Sequence, residues 1–68
     1  MENTFAKRLY ELRRESEITQ GDLALEIGVS QKAIDFWEKG TNEPKASNII
    51  RLAKYFNVST DYLLGLEN

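Results

Sequence analysis

Residues 20–37 read QGDLALEIGVSQKAIDFW, and this stretch is the most informative part of the chain about its architecture. Apolar residues recur there with the period of an α-helix, and a short turn sequence interrupts them. Gly28 predicts a sharp stop of one helix, and the Ser30 hydroxyl predicts the N-cap of the next. Ala24 is small enough to let the two helices cross closely. The stretch therefore predicts two short helices, over 20–27 and 31–39, joined by a three-residue turn.

The same periodicity separates the two sides of this helical pair. The shared buried edge is predicted to consist of Leu23, Ile27, Val29, Ile34 and Trp37. On the outer side of the second helix the pattern leaves Gln31, Lys32, Asp35 and Phe36. We call these four residues the reading face, because side chains that project away from a core can contact a partner.

Three further helices are predicted around this pair, at residues 4–16, 46–56 and 60–64. The first carries an apolar stripe of Phe5, Leu9 and Leu12. The stripe predicted for the second consists of Ala46, Ile49, Ile50, Ala53 and Phe56. Since no segment alternates apolar and polar residues as a strand would, the sequence predicts an all-α domain of five short helices.

The ends of these helices carry their own signals. Glu17 and Asn57 stand where a left-handed residue is expected, and Glu17 there implies a strain of roughly 1 kcal/mol. Ser59 is predicted to cap the last helix, whose Leu63 and Leu64 are expected to close the core.

Composition restricts the chemistry that the chain can perform. It has 68 residues, of which none is Cys or His, so a disulfide-stapled core, a structural zinc site, a catalytic thiol and a Ser-His relay are excluded. We therefore expect no metal and no cofactor, and no small-molecule ligand is evident.

No apolar run approaches the length of a membrane span, and the N-terminus lacks a signal-peptide pattern, so we expect a cytoplasmic protein with no membrane partner. The formal net charge of −2 means that the distribution of charge matters more than its total.

The sequence resembles the helix-turn-helix domains of lambdoid phage repressors and Cro proteins, and more widely the Xre-type bacterial regulators. Matching positions run along nearly the whole chain: Arg8-Leu9, Leu12-Arg13, Thr19-Gln20, Leu23-Ala24, Ile27-Gly28-Val29-Ser30, Ile34, Trp37-Glu38-Lys39-Gly40, Pro44, Leu52-Ala53-Lys54, Asn57-Val58-Ser59 and Leu63-Leu64-Gly65. The resemblance implies one compact lambda-repressor-like bundle over residues 1–68. It also implies that the second helix of the pair lies in the major groove of DNA.

By this resemblance the reading face would contact base edges. Gln31 could pair bidentately with adenine, Lys32 could donate to guanine, and Phe36 could pack on a thymine methyl group. Asp35 departs from the pattern, because its negative charge suits only a cytosine amino group or a water molecule. Two alternatives remain open at this point: Asp35 as an ordinary exposed charge, and Phe36 folded back on the domain or placed in a protein interface.

Other positions are matched to the DNA backbone. Gln20 corresponds to a phosphate-binding glutamine at the start of the first helix of the pair, where unbonded N–H groups also point at an anion. Ser30, at the N-cap of the second helix, is likewise expected to contact phosphate. A second set of phosphate contacts is expected from Lys39, Asn42 and Lys45.

Two structural expectations complete the site assignments. The resemblance pairs Arg13 with Glu38, which would tie the first helix to the end of the third through a partly buried ion pair. Tyr62 and Leu66 lie at the edge of the last short helix and are expected to form a dimer interface.

The resemblance implies a sequence-specific regulator of transcription, most often a repressor, that binds double-stranded DNA as a homodimer on a palindromic operator. Dimers that form mainly on DNA are expected, because the predicted patch is small. The alternative function is an antitoxin or protein-interaction module with the same fold, which the acidic balance and an exposed Leu25 would suit. An enzyme is the least supported class, since no nucleophile with a base and no phosphate-binding loop is visible.

Overall fold

A computed structural model describes residues 3–68 and contains five α-helices. They are α1 (Thr4–Glu15), α2 (Gln20–Ile27), α3 (Gln31–Lys39), α4 (Ala46–Phe56) and α5 (Thr60–Leu64). No strand occurs between residues 3 and 68. The all-α prediction is confirmed, and the only changed helix boundary is the end of α1, one residue earlier than expected.

Side-chain caps explain why α2, α3 and α5 begin where the sequence predicts. Thr19 and Asp22 form a reciprocal capping box, in which each side chain accepts a hydrogen bond from the other's backbone N–H. The Ser30 hydroxyl accepts from the N–H of Ala33, and Ser59 caps α5 in the same manner. These bonds satisfy N–H groups that the first turn of a helix otherwise leaves unbonded.

The left-handed helix ends are also found where they were expected. Glu17 has φ 58° and Asn57 has φ 57°. The left-handed conformation at Glu17 turns the chain between α1 and α2. It brings the Cβ of Glu17 close to a backbone carbonyl oxygen and is therefore strained. Gly28 ends α2 with φ 83°, a value that a residue without a Cβ adopts easily.

Each helix supplies one side chain with no exposed surface at the centre of the core: Leu9, Leu23, Ile34, Leu52 and Leu63. Ala24, Ile27, Trp37 and Ala53 surround them. Val29, predicted in the buried edge, is half-buried and packs against this cluster.

Two predictions about the core were wrong. In α4, Ala46 and Ile50 are exposed, whereas Leu52 is fully buried. Residues 49, 52, 53 and 56 fit the helical period as well as the predicted set does, and packing against α2 and α5 decides between them. Leu64 is 44% exposed, because a helix as short as α5 turns only one leucine, Leu63, into the core.

The last helix closes against the first along a tight seam. A Cβ at Gly65 (φ 81°) would lie 2.8 Å from Thr4 Cγ2, so only glycine fits that position. The Arg8 guanidinium donates to the carbonyl oxygens of Tyr62 and Glu67 and lies 4.2 Å from the centre of the Tyr62 ring. The resulting domain measures 27 × 24 × 23 Å between Cα atoms.

Candidate nucleic-acid interface

Helix α3 packs against the core on one side and carries the reading face on the other. Ile34 and Trp37 are buried in the core, and α1 and α2 both pack on the helix. Gln31 and Lys32 are exposed, whereas Asp35 and Phe36 are half-buried. The two exposed residues therefore have the access that a contact to base edges requires.

The start of α2 lies directly beside this face. A Cβ built on Gly21 would stand 3.5 Å from Gln31 Oε1, so the backbone of α2 borders the Gln31 side chain. Gln20, Gln31, Lys32 and Asp35 line one shallow concave surface. The structure thus brings together three of the predicted base readers and the predicted phosphate-binding glutamine.

Five polar side chains connect α1, α2 and α3, from the interior to this surface: Arg13, Glu38, Gln20, Asp35 and Lys39. We call them the polar chain. Arg13 donates to both carboxylate oxygens of Glu38, at 2.6 and 3.1 Å. Gln20 Nε2 donates to Glu38 Oε1 at 3.1 Å and to Asp35 Oδ1 at 3.2 Å. Lys39 Nζ completes the chain, 2.9 Å from Asp35 Oδ2.

The inner end of the polar chain is sequestered from water. The side chains of Arg13 and Glu38 are only 11% and 5% exposed. The hydrogen bonds to Glu38 raise the pKa of Arg13 above its ordinary value. Arg13 also donates to the carbonyl oxygen of Ile18 at 3.0 Å, so one guanidinium ties α1, the following turn and α3 together.

The outer end of the polar chain is open to solvent. The side chains of Lys39 and Asp35 are 65% and 32% exposed. Hydrogen bonds from Lys39 and from Gln20 lower the pKa of Asp35, so this carboxyl group is ionised at neutral pH. A negative charge therefore stands on the surface that the sequence assigns to DNA.

The remaining predicted residues are more scattered. Asn42 and Lys45 are exposed in the segment between α3 and α4, and Lys45 makes no side-chain capping bond to α4. The Ser30 hydroxyl caps α3. Tyr62 is half-buried with Arg8 on its ring, and Leu66 is 73% exposed.

Sequence reasoning missed the bonds from Gln20 to Asp35 and Glu38. The spacing of Asp35 and Lys39, four residues apart on one helix, was a usable signal for that ion pair. No sequence signal indicates the bridge from Gln20, because it depends on how α2 crosses α3. Arg8 at the seam was missed for the same reason.

Among residues 3–68, no helix is both long and apolar enough to cross a lipid bilayer.

Comparison with solved structures gives close matches. The P22 c2 repressor in complex with a synthetic operator superposes with a TM-score of 0.90 at 33% identity, covering 97% of this chain and 100% of the other. The restriction-modification controller protein C.AhdI from Aeromonas hydrophila matches with a TM-score of 0.82 at 28% identity, covering 90% of this chain and 92% of the other.

Sequence comparison agrees with the structural matches. ImmR of Bacillus subtilis, an HTH-type transcriptional regulator, is 32% identical over 91% of this chain and 49% of its own length. The chain spans about half the length of the first curated relatives it matches. The sequence model of the helix-turn-helix family HTH_3 matches residues 9–63, which is most of the chain. The chain therefore belongs to the helix-turn-helix family.

Proposed function

We propose that this protein is a sequence-specific regulator of transcription, acting as a repressor, that binds double-stranded DNA with α3 in the major groove. The observation that carries the proposal is the exposure of Gln31 and Lys32 beside the start of α2, on a fold that matches a repressor in complex with a synthetic operator. Gln31 and Lys32 offer the donor and acceptor groups that read adenine and guanine edges. The proposed activity is binding without catalysis, in the cytoplasm.

Selection of bound duplexes from a random pool tests this function. The expected result is a palindrome whose half-site centres lie about 34 to 36 Å apart. Recovery of no preferred sequence would contradict the proposal. A titration against random duplex at low and high salt supplies an independent measure, because contacts to phosphate impose a steep dependence of affinity on salt.

A second candidate is a protein-interaction module, such as an antitoxin, with the same fold. The observation that favours it is Leu25, which is 84% exposed on α2 of a chain with net charge −2. A protein-only surface would show no affinity for random duplex even at low salt, so the same titration separates the two functions.

The reading face and the backbone contacts predict different effects of substitution. We expect Gln31→Ala and Lys32→Ala each to relax the preference at one base pair by about 1 to 3 kcal/mol. Gln20→Ala should weaken binding without changing the bases preferred at the positions that Gln31 and Lys32 contact, because phosphate contacts carry no sequence information. Affinities for the selected palindrome and for its single-base variants measure both effects.

Lys54→Ala is the matched control, since it removes one exposed lysine from the last turn of α4. A change of the preferred base in Gln20→Ala would contradict the assignment. An unaltered preferred site in both α3 variants would do the same.

We further propose that two copies bind together, through Tyr62 and Leu66. One domain makes few phosphate contacts, so high affinity requires two linked half-sites. Arg8 covers one face of the Tyr62 ring, which leaves Leu66 as the more available apolar side chain. The patch is small, which favours a dimer that forms mainly on DNA.

Leu66→Glu is expected to abolish cooperative binding to the full palindrome and to leave binding to one half-site unchanged. The buried apolar contact would be replaced by two facing charges near the two-fold axis. Sedimentation with and without the palindromic duplex measures the stoichiometry. Asn68→Glu adds the same charge two residues away and serves as the control. Two copies of Leu66→Glu bound cooperatively would rule out this interface.

A further inference from the structure

Asp35 binds two residues that are proposed to contact phosphate. Its Oδ1 accepts from Gln20 Nε2 at 3.2 Å, and its Oδ2 lies 2.9 Å from Lys39 Nζ. The three side chains come from the start of α2 and from two successive turns of α3. Asp35 therefore occupies hydrogen-bond donors of Gln20 and Lys39 that the proposed function assigns to DNA phosphates.

The Gln20 amide has no hydrogen left for a phosphate in this arrangement. An amide NH₂ group carries two hydrogens, and Gln20 Nε2 has two carboxylate partners, Asp35 and Glu38. The remaining polar atom of the side chain, Oε1, is an acceptor and cannot bond to a phosphate oxygen. Gln20 must give up at least one carboxylate before it can donate to DNA.

The two carboxylates differ in how easily they can release Gln20. Glu38 is nearly buried and already accepts twice from Arg13. Asp35 retains 32% side-chain exposure, and its pair with Lys39 lies at the surface, where an ion pair is worth little and exchanges partners readily. Asp35 is therefore the partner that exchanges.

We propose that Asp35 is a specificity-determining residue, which holds Gln20 and Lys39 away from phosphate until α3 meets a base that can bond to its carboxylate. In the major groove that base is cytosine, through its exocyclic amino group. Guanine and thymine opposite Asp35 present no hydrogen-bond donor in the major groove, and adenine presents its amino group beside the N7 acceptor, which a carboxylate opposes. The residue thus weakens binding to random DNA more than binding to the operator. This inference rests on the proposed DNA-binding function.

Asp35→Asn tests the inference, because it keeps the shape of the side chain and removes its charge. We expect affinity for random duplex to rise about tenfold, and affinity for the selected palindrome to rise less, so that the specificity ratio falls. The plot of log affinity against log salt for random duplex should steepen by about 0.9, the value of one added phosphate contact.

Glu26→Gln is the matched control, since Glu26 is exposed on α2 and the substitution changes the net charge equally. It should alter affinity for random duplex less than about twofold, because a charge outside the contact surface is screened by salt. An equal gain in Asp35→Asn and Glu26→Gln would overturn the inference and leave the proposed function intact. Failure of the unsubstituted protein to bind any duplex would instead overturn the proposed function.

A double-mutant cycle with Lys39 tests the mechanism directly. If Asp35 acts by holding Lys39, the gain from Asp35→Asn should fall to about a third or less in the Lys39→Ala background. Lys39→Ala alone should lower affinity for the selected palindrome, on which Asp35 releases that lysine to phosphate, more than it lowers affinity for random duplex. The same gain in both backgrounds would show a general charge effect and would overturn the inference. Thermal melts of all four proteins, which should agree closely, report on the fold.

Discussion

Glu38→Ala is expected to lower the melting temperature by roughly 15 °C or more, since breaking a buried ion pair by removing one partner costs about 3 to 5 kcal/mol in a domain of this size. The Arg13 side chain is only 11% exposed beside Glu38, and the substitution removes the carboxylate that accepts two of its hydrogen bonds. The total stability of a small domain is itself only about 5 kcal/mol or slightly more. Thermal unfolding followed by circular dichroism measures the loss.

Two further variants separate the ion pair from the general effects of substitution. Glu11→Ala removes an exposed carboxylate from α1 and should shift the melting temperature by only a few degrees. Replacing Arg13 and Glu38 together by methionine should recover much of the lost stability, because no unpaired charge is then buried. Base preference should be unaltered in any Glu38→Ala protein that remains folded. A melting temperature unchanged by Glu38→Ala would contradict the prediction that the Arg13–Glu38 pair stabilises the fold.

Leu52→Ala is expected to destabilise the domain by about 2 to 5 kcal/mol, the usual cost of a cavity left by a buried leucine. Leu52 has no exposed surface and lies in the cluster to which every helix contributes. Ile50→Ala, in the same helix, should cost only about 0.5 kcal/mol, because Ile50 is 46% exposed. Denaturant unfolding of the two variants gives both values. A larger cost for Ile50→Ala than for Leu52→Ala would mean that α4 packs through the face that the sequence pattern favoured.

This contrast shows what sequence reasoning resolves and what it leaves undecided. The bounds of α2 and α3 could be predicted because Thr19, Gly28 and Ser30 act on their own neighbours through caps and a left-handed turn. The buried face of α4 could not, because two overlapping sets of apolar residues satisfy the same period. Packing against α2 and α5 selects Leu52, and that selection is not encoded locally.

Some features of the candidate site could likewise be predicted from the sequence, and others could not. The reading face follows from the phase of one helix, so the sequence alone is enough to assign Gln31 and Lys32 to the outer side of α3. The bond from Gln20 to Asp35 joins residues 15 positions apart and depends on the crossing of two helices. Local patterns therefore indicate which side chains face outward, whereas the polar contacts among them require the three-dimensional arrangement.

The dimensions of the domain bear on how an operator would be recognised. Its longest Cα dimension is 27 Å, whereas half-site centres one helical turn apart are separated by about 34 to 36 Å. Two copies on one side of the duplex would then meet only through side chains at their edges. An inserted base pair would move them apart by about 3.4 Å and rotate one by about a tenth of a turn. The contact between two domains of this size would then be lost. Binding would therefore depend on the number of base pairs between the half-sites as strictly as on the base sequence.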